Sequence, residues 1–139
     1  MNNQILINEL DEVLNRQVPY GQWDAGEPMW TAFGPQTRDN GLMSTLRGHV
    51  SPAEAYRRHT EDHGLRSRGT WGIRVGDAVD VGLACIDDGG AMENPEDHAS
   101  VDFQPLTKAE RKIAGRKLHE FACKKGPLYT PAGEPISEA

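Results

Sequence analysis

Stretches in which apolar and polar residues alternate predict the β-strands of this protein. Residues 69–76 place every second side chain, all apolar, on one face, as in a half-buried strand, and residues 99–103 repeat the pattern. Pro105 ends the second of these strands, because proline lacks the N–H that a strand inside a sheet must donate. Residues 41–48 predict a further short strand. Residues 77–88 fit either a strand in which Val79, Val81, Leu83 and Cys85 alternate, or one turn of helix followed by a strand at 83–86, which we favour.

Two segments carry the start and stop signals of helices. Ser51, Pro52 and Glu54 are a capping serine, a proline at the first helical position and a glutamate placed to bond back to the cap. They predict a helix over 51–63, which Gly64 ends by adopting the left-handed backbone conformation.

A second helix is predicted over residues 107–125. Thr107 and Glu110 form a capping box at its start, and Gly126 with Pro127 ends it. One face of this helix carries an apolar stripe formed by Ala109, Ile113, Ala114, Leu118, Phe121 and Ala122. The stripe predicts the face that packs on the sheet.

The first residues of the chain also show a helical repeat. Residues 3–16 predict an amphipathic helix, which makes residues 1–17 a separate N-terminal element. Its apolar positions are Leu6, Ile7, Leu10, Val13 and Leu14. This helix either covers the sheet or docks on a partner, since a flexible segment follows it.

These elements predict the α+β class. We expect a single compact domain over residues 41–130, with a small, mostly antiparallel sheet and two main helices, 51–63 and 107–125, packed on it. The N-terminal amphipathic helix precedes this domain, and residues 131–139 form a loose tail.

Residues 18–40 are rich in proline and glycine, which excludes a regular helix through most of the segment. The segment nevertheless holds four aromatic residues, Tyr20, Trp23, Trp30 and Phe33. Large rings are seldom left in water, so they either cap one edge of the core or anchor a binding partner. We take all four as candidate binding residues.

Charge narrows the class of partner. The net charge of −6 and the pI near 5.3 argue against nucleic acid, because binding phosphates requires a basic face. Five arginines are nevertheless concentrated at Arg57, Arg58, Arg66, Arg68 and Arg74. They form either an ordinary solvated surface or a local basic face on which Arg68 or Arg74 holds an anion.

The two cysteines, Cys85 and Cys123, stand in apolar surroundings without a CxxC partner, as expected for reduced thiols in the cytoplasm. The N-terminus has no signal-peptide pattern, and no apolar run approaches the length of a membrane span. We therefore expect a soluble cytoplasmic protein without a membrane partner. No cofactor motif is present, so none is expected.

His98 is the leading catalytic candidate. It lies at the start of the 99–103 strand, after the polar residues 94–97. Such residues most often satisfy the backbone of a turn, but a histidine there can also act as an acid or a base, with His59 assisting. Asp102 lies roughly 13 Å away along an ideal strand, too far to orient the imidazole.

His59 and His63 are four residues apart on the predicted helix, so both rings could reach one metal ion. The stretch is close to the HExxH motif of zinc peptidases, but Glu61 is one position late, which excludes that class. A third ligand would have to come from His98, His49 or Cys85, and the spacing selects none of them.

The order of these signals resembles a family. The run includes Leu42-Met-Ser-Thr, Ser51-Pro-Ala-Glu-Ala, Gly69-Thr-Trp-Gly-Ile-Arg-Val, Val81-Gly-Leu and Asn94-Pro-Glu-Asp-His-Ala. It resembles short uncharacterised bacterial proteins found near mobile or conflict-associated genes. The resemblance implies one compact unit near residues 42–126 and no particular activity.

Three functions remain open at this point. The leading hypothesis is a non-catalytic module that binds another protein, as an inhibitor, immunity or accessory factor. A small hydrolytic or nucleotide-directed enzyme that uses His98 and His59 is the second, and a metal-binding module that uses His59 and His63 is the third.

Overall fold

Six strands form one antiparallel sheet in the computed structural model, which describes residues 5–36, 40–91 and 94–131. Helices pack on this sheet, so the predicted α+β class is confirmed. The strands are β1 (Ile5–Leu6), β2 (Val13–Pro19), β3 (Trp23–Asp24), β4 (Glu27–Pro28), β5 (Leu42–Leu46), β6 (Ser67–Arg74), β7 (Ala84–Asp87) and β8 (His98–Asp102). The order in the sheet is β1-β7-β8-β5-β2-β6, and β3 pairs with β4 alone.

The helices are α1 (Pro52–Arg57), α2 (Val75–Asp80) and α3 (Lys108–Lys125). A π-helical turn, Arg58–Asp62, continues α1, and a 3-10 helix covers Trp30–Phe33. No helix within the described ranges is both long and apolar enough to cross a membrane.

One face of the sheet forms the main core. Met43 lies opposite Val101, which in turn lies opposite Cys85, and all three are buried. From the other side of this core, α3 contributes Ala114, Leu118 and Ala122, and the 3-10 helix contributes Ala32 and Phe33. The buried stripe of α3 is narrower than predicted, since Ile113 is 57% exposed.

Side-chain bonds from the opposite face hold α1 against β2 and β6. The Asn15 amide donates to the Val50 carbonyl over 2.8 Å, and the Thr70 hydroxyl donates to the Pro52 carbonyl over 2.9 Å. Both bonds tie side chains of the sheet to backbone carbonyls at the start of α1. The sheet thus fixes where the helix begins.

The predicted helix signals are confirmed. The Ser51 hydroxyl accepts a hydrogen bond from the Glu54 amide, and Thr107 forms a complete capping box with Glu110. Gly64 has a φ of +65°, the left-handed conformation expected at the end of the helix.

The prediction of an N-terminal helix is wrong. Residues 13–19 form β2, which is hydrogen-bonded to β5 on one side and to β6 on the other. Leu14 is fully buried there, whereas Leu6 and Leu10 are about half exposed, so the predicted stripe does not face one core. A strand inside a sheet is paired along both edges, and this long-range bonding overrides the local helical pattern.

Strand β8 is buried on both faces. Ala99, Val101 and Phe103 face the core as predicted, with no exposed surface. Ser100 and Asp102 lie on the other face as predicted, but they are buried as well. The strand therefore carries polar groups that must find partners inside the protein.

Candidate functional site

The pairing of β2 with β6 brings an aromatic ring between two arginines. Pro19 lies opposite Ser67, so Tyr20 at the end of β2 falls between Arg66 and Arg68. The guanidinium carbons of Arg66 and Arg68 lie 3.7 and 3.6 Å from the centre of the Tyr20 ring. Two guanidinium groups so near one centre occupy opposite faces of the ring, where each gains a cation–π interaction.

Trp23 extends this group of side chains. Its ring packs edge-on against Trp71, with 5.7 Å between the ring centres, and the Arg68 guanidinium lies 5.3 Å from its centre. The buried Trp23 Nε1 has no acceptor within the described part of the chain. We call Tyr20, Trp23, Arg66 and Arg68 the Tyr20 surface.

An open depression of about 260 Å³ adjoins the Tyr20 surface. Its lining residues are Tyr20, Tyr56, Thr60, Gly64, Leu65, Arg66 and Ser67. Arg66 is exposed and is the one cationic residue among the described residues of this lining. Within residues 5–36, 40–91 and 94–131, none of the ion pairs includes Arg66.

Trp30 and Phe33 lie apart from this group, where the 3-10 helix packs on α3. Phe33 is fully buried and its ring centre is 5.8 Å from that of His119. Trp30 lies beside Gly115, with the Arg116 guanidinium 5.2 Å from its ring centre. Phe33 therefore offers no surface to a partner in this structure, whereas Trp30 is half-buried against α3.

Arg74 does not join Arg68. It binds Asp11 over 3.0 Å and Asp77 over 3.3 Å, and the hydrogen bond with Asp11 raises its pKa above the usual value. These two carboxylates already neutralise its charge.

His98 belongs to a second polar group. Its Nδ1 lies 2.6 Å from one carboxylate oxygen of Asp88, and the Ser100 hydroxyl donates to the other oxygen over 2.5 Å. Burial by itself raises the pKa of Asp88. The hydrogen bonds with His98 and Ser100 together lower it by more, so the pKa of Asp88 lies below its usual value. Asp88 is thus a carboxylate that satisfies two buried side chains of β8.

This arrangement differs from a nucleophile and its base. In a catalytic serine site the hydroxyl bonds to the imidazole, and the carboxylate holds the far side of the ring. Here the Ser100 hydroxyl donates its hydrogen bond to Asp88 and not to His98. His98 also lines neither the depression at Arg66 nor the smaller cleft between β6 and α3.

Two ion-pair networks lie at the same end of the sheet. Arg47 binds Glu12 through two bonds of 2.7 and 2.8 Å and Asp87 through one of 2.7 Å. Asp97 binds His49 over 2.6 Å and Arg58 over 2.9 Å. They join segments more than thirty positions apart, which is why no local pattern in the sequence indicated them.

His59 and His63 lie in different environments. Burial lowers the pKa of His59 to about 4, assisted by electrostatic interactions with Arg16 and with His63, which is itself exposed. His59 is therefore neutral near pH 7 and a weak base. Across the described ranges, no group of three or more histidine, cysteine, aspartate or glutamate side chains is placed to hold a metal ion.

The cysteines are apart from these groups. Burial raises the pKa of Cys85 to about 12 and that of Cys123 to about 11. Both remain protonated near pH 7, and a protonated thiol is a poor nucleophile and a poor metal ligand.

The low pKa of His59 predicts a loss of stability on acidification. The unfolded chain takes up a proton near pH 6.5, but the folded protein does so only near pH 4, so stability falls across that window. We expect the urea midpoint of His59→Gln to fall less than that of the wild type between about pH 7.5 and about pH 5. His63→Gln, an exposed control, should keep most of the wild-type dependence; equal dependence in His59→Gln would contradict the assignment.

Comparison with protein-family models, with curated proteins and with solved structures finds no match to this chain.

Proposed function

We propose that this chain is a non-catalytic binding module that captures another protein through the Tyr20 surface. The observation that carries the proposal is the position of the Tyr20 ring between the guanidiniums of Arg66 and Arg68. Tyrosine, tryptophan and arginine are the residue types that dominate the binding energy of protein interfaces. The Tyr20 surface consists of these three types alone.

The stacking also prepares the surface for binding. A long arginine side chain normally loses rotamer freedom when it is fixed in an interface, at a cost of about 0.5–1.5 kcal/mol. Contact with the Tyr20 ring holds Arg66 and Arg68 before a partner arrives, and Arg68 is further tied by a bond from its Nε to the Tyr20 carbonyl. Part of the ordering cost is thereby met in the free protein.

The sequence resemblance adds a biological setting to this proposal. In that setting an inhibitor, an immunity factor or an accessory factor would act by binding another protein directly. An acidic body with a local basic and aromatic surface fits such a role.

The test is capture from an extract of the source organism by the immobilised protein. We expect a specific protein to be retained by the wild type and lost with Arg66→Ala. Arg116→Ala is the matched control, because it also removes an arginine that lies over an aromatic ring, that of Trp30, at a separate place. Circular dichroism verifies that each variant is folded.

The alternative hypothesis, an enzyme that uses His98, makes the opposite prediction. An enzyme that uses His98 should lose its cellular effect with His98→Ala and keep it with Arg66→Ala. That result in folded variants would overturn the binding proposal, as would equal capture by the Arg66→Ala and Arg116→Ala variants.

A further inference from the structure

Building on the proposed binding function, we infer that the depression at Arg66 receives an acidic segment of the partner protein. One carboxylate of that segment binds the Arg66 guanidinium, and a neighbouring apolar side chain packs on Leu65. This assigns both the chemistry of the partner and the place where it docks.

The charge of the depression is the first argument. Arg66 is exposed, forms part of the lining, and is in no ion pair within the described residues. Its guanidinium is held against the Tyr20 ring with 3.7 Å to the ring centre, which leaves N–H groups at its edge to donate. A planar fork of donors matches the two oxygens of a carboxylate.

The carboxylates closest along the chain are already engaged. Asp62 and Glu61 lie 3.3 and 3.9 Å from Arg57, and Glu54 binds Arg57 and Arg58. The bonds with Arg57 and Arg58 lower the pKa of Glu54 to about 2. An acid that completes the Arg66 site therefore has to come from outside this segment.

Leu65 supplies the second contact. It is 45% exposed beside Arg66 in the depression, which leaves apolar surface that a partner side chain can cover. Gly64, with a φ of +65°, turns the chain after the helix, and the Leu65 amide donates to the His59 carbonyl over 3.2 Å. The backbone thus holds Leu65 beside Arg66 in a defined position.

A protein carboxylate fits this lining better than a nucleic acid does. Sites for a nucleic-acid backbone gather several cations along a track, whereas this lining has one cation beside an exposed leucine. The net charge of −6 also opposes a polyanion at long range, while a single local acid beside an apolar residue is tolerated.

The test measures the binding of two short fluorescent peptides by anisotropy. One alternates glutamate with leucine, and the other alternates glutamine with leucine. We expect the glutamate peptide to bind the wild type at least about tenfold more tightly than the glutamine peptide does, and Arg66→Gln to remove that difference. Arg116→Gln should retain it, and added salt should weaken the glutamate peptide more than the glutamine peptide.

Leu65→Ser is the second variant, and its weaker binding of both peptides would support the apolar contact. Equal binding of the two peptides by the wild type would overturn the proposal of an acidic partner. The same holds if Arg66→Gln still prefers the glutamate peptide as strongly as the wild type does. Binding of a single-stranded oligonucleotide that depends on Arg66, without binding of either peptide, would overturn it in favour of nucleic acid. If Arg66-dependent capture from extract succeeds while the peptides bind equally, the binding module stands and only the acidic partner fails.

Discussion

Replacing Phe33 by alanine is expected to lower the free energy of unfolding by about 3–5 kcal/mol. The Phe33 ring is fully buried between the sheet and α3, beside Ala32 and the His119 ring. Its removal takes away buried apolar area and leaves a cavity that the close-packed surroundings fill only in part. The 3-10 helix that carries it would also lose its main attachment to α3.

The measurement is equilibrium unfolding in urea, followed by circular dichroism. Ile113→Ala is the matched control, because Ile113 lies on α3 but is 57% exposed, and it should change stability by about 0.5 kcal/mol or less. A loss below about 1 kcal/mol for Phe33→Ala would contradict the core position and return Phe33 to the candidate binding residues.

Replacing Arg16 by methionine is expected to cost about 2–4 kcal/mol of stability. Arg16 is 6% exposed on the core face of β2, where its Nε donates to the Ala32 carbonyl over 2.8 Å and its Nη1 to the Ser44 carbonyl over 3.0 Å. Methionine keeps the apolar stem but no donor. The two carbonyl oxygens would then lose their charged partner inside the protein.

Arg116→Met is the control for this experiment, since Arg116 is exposed on α3 and should tolerate the change within about 0.5 kcal/mol. The two variants are compared by urea unfolding at one pH. Equal stability of the Arg16→Met variant and the wild type would show that the carbonyls find other donors, and that Arg16 does not hold the 3-10 helix on the sheet.

The elements predicted correctly are those that local chemistry specifies. A capping box satisfies the first amides of α3 from within four residues, so Thr107 and Glu110 indicate the start of the helix whatever lies around it. The alternation at 99–103 likewise specifies which side chains of β8 share a face. These signals do not depend on distant residues.

The residues of the candidate site can be predicted from the sequence only in part. Tyr20, Trp23 and Arg68 were candidate binding residues, and the structure brings them together, but Phe33 lies in the core and Arg74 is paired with acids. The sequence indicates Arg66 only as one of five clustered arginines. Its position against Tyr20 depends on the register in which β2 pairs with β6. That register cannot be predicted from the residue pattern of either strand alone.

The sequence by itself determined the α+β class, both capped helices and four of the strands, because capping, proline and alternation act over a few residues. Tertiary structure decided that residues 13–19 form a strand, because β5 and β6 supply hydrogen bonds along both of its edges. It also decided that Asp88 is the hydrogen-bond partner of His98, because Asp88 directly follows β7, the strand that pairs with β8. Both outcomes depend on contacts between segments distant in sequence, and the free energy of such contacts exceeds the weak preferences of a local pattern.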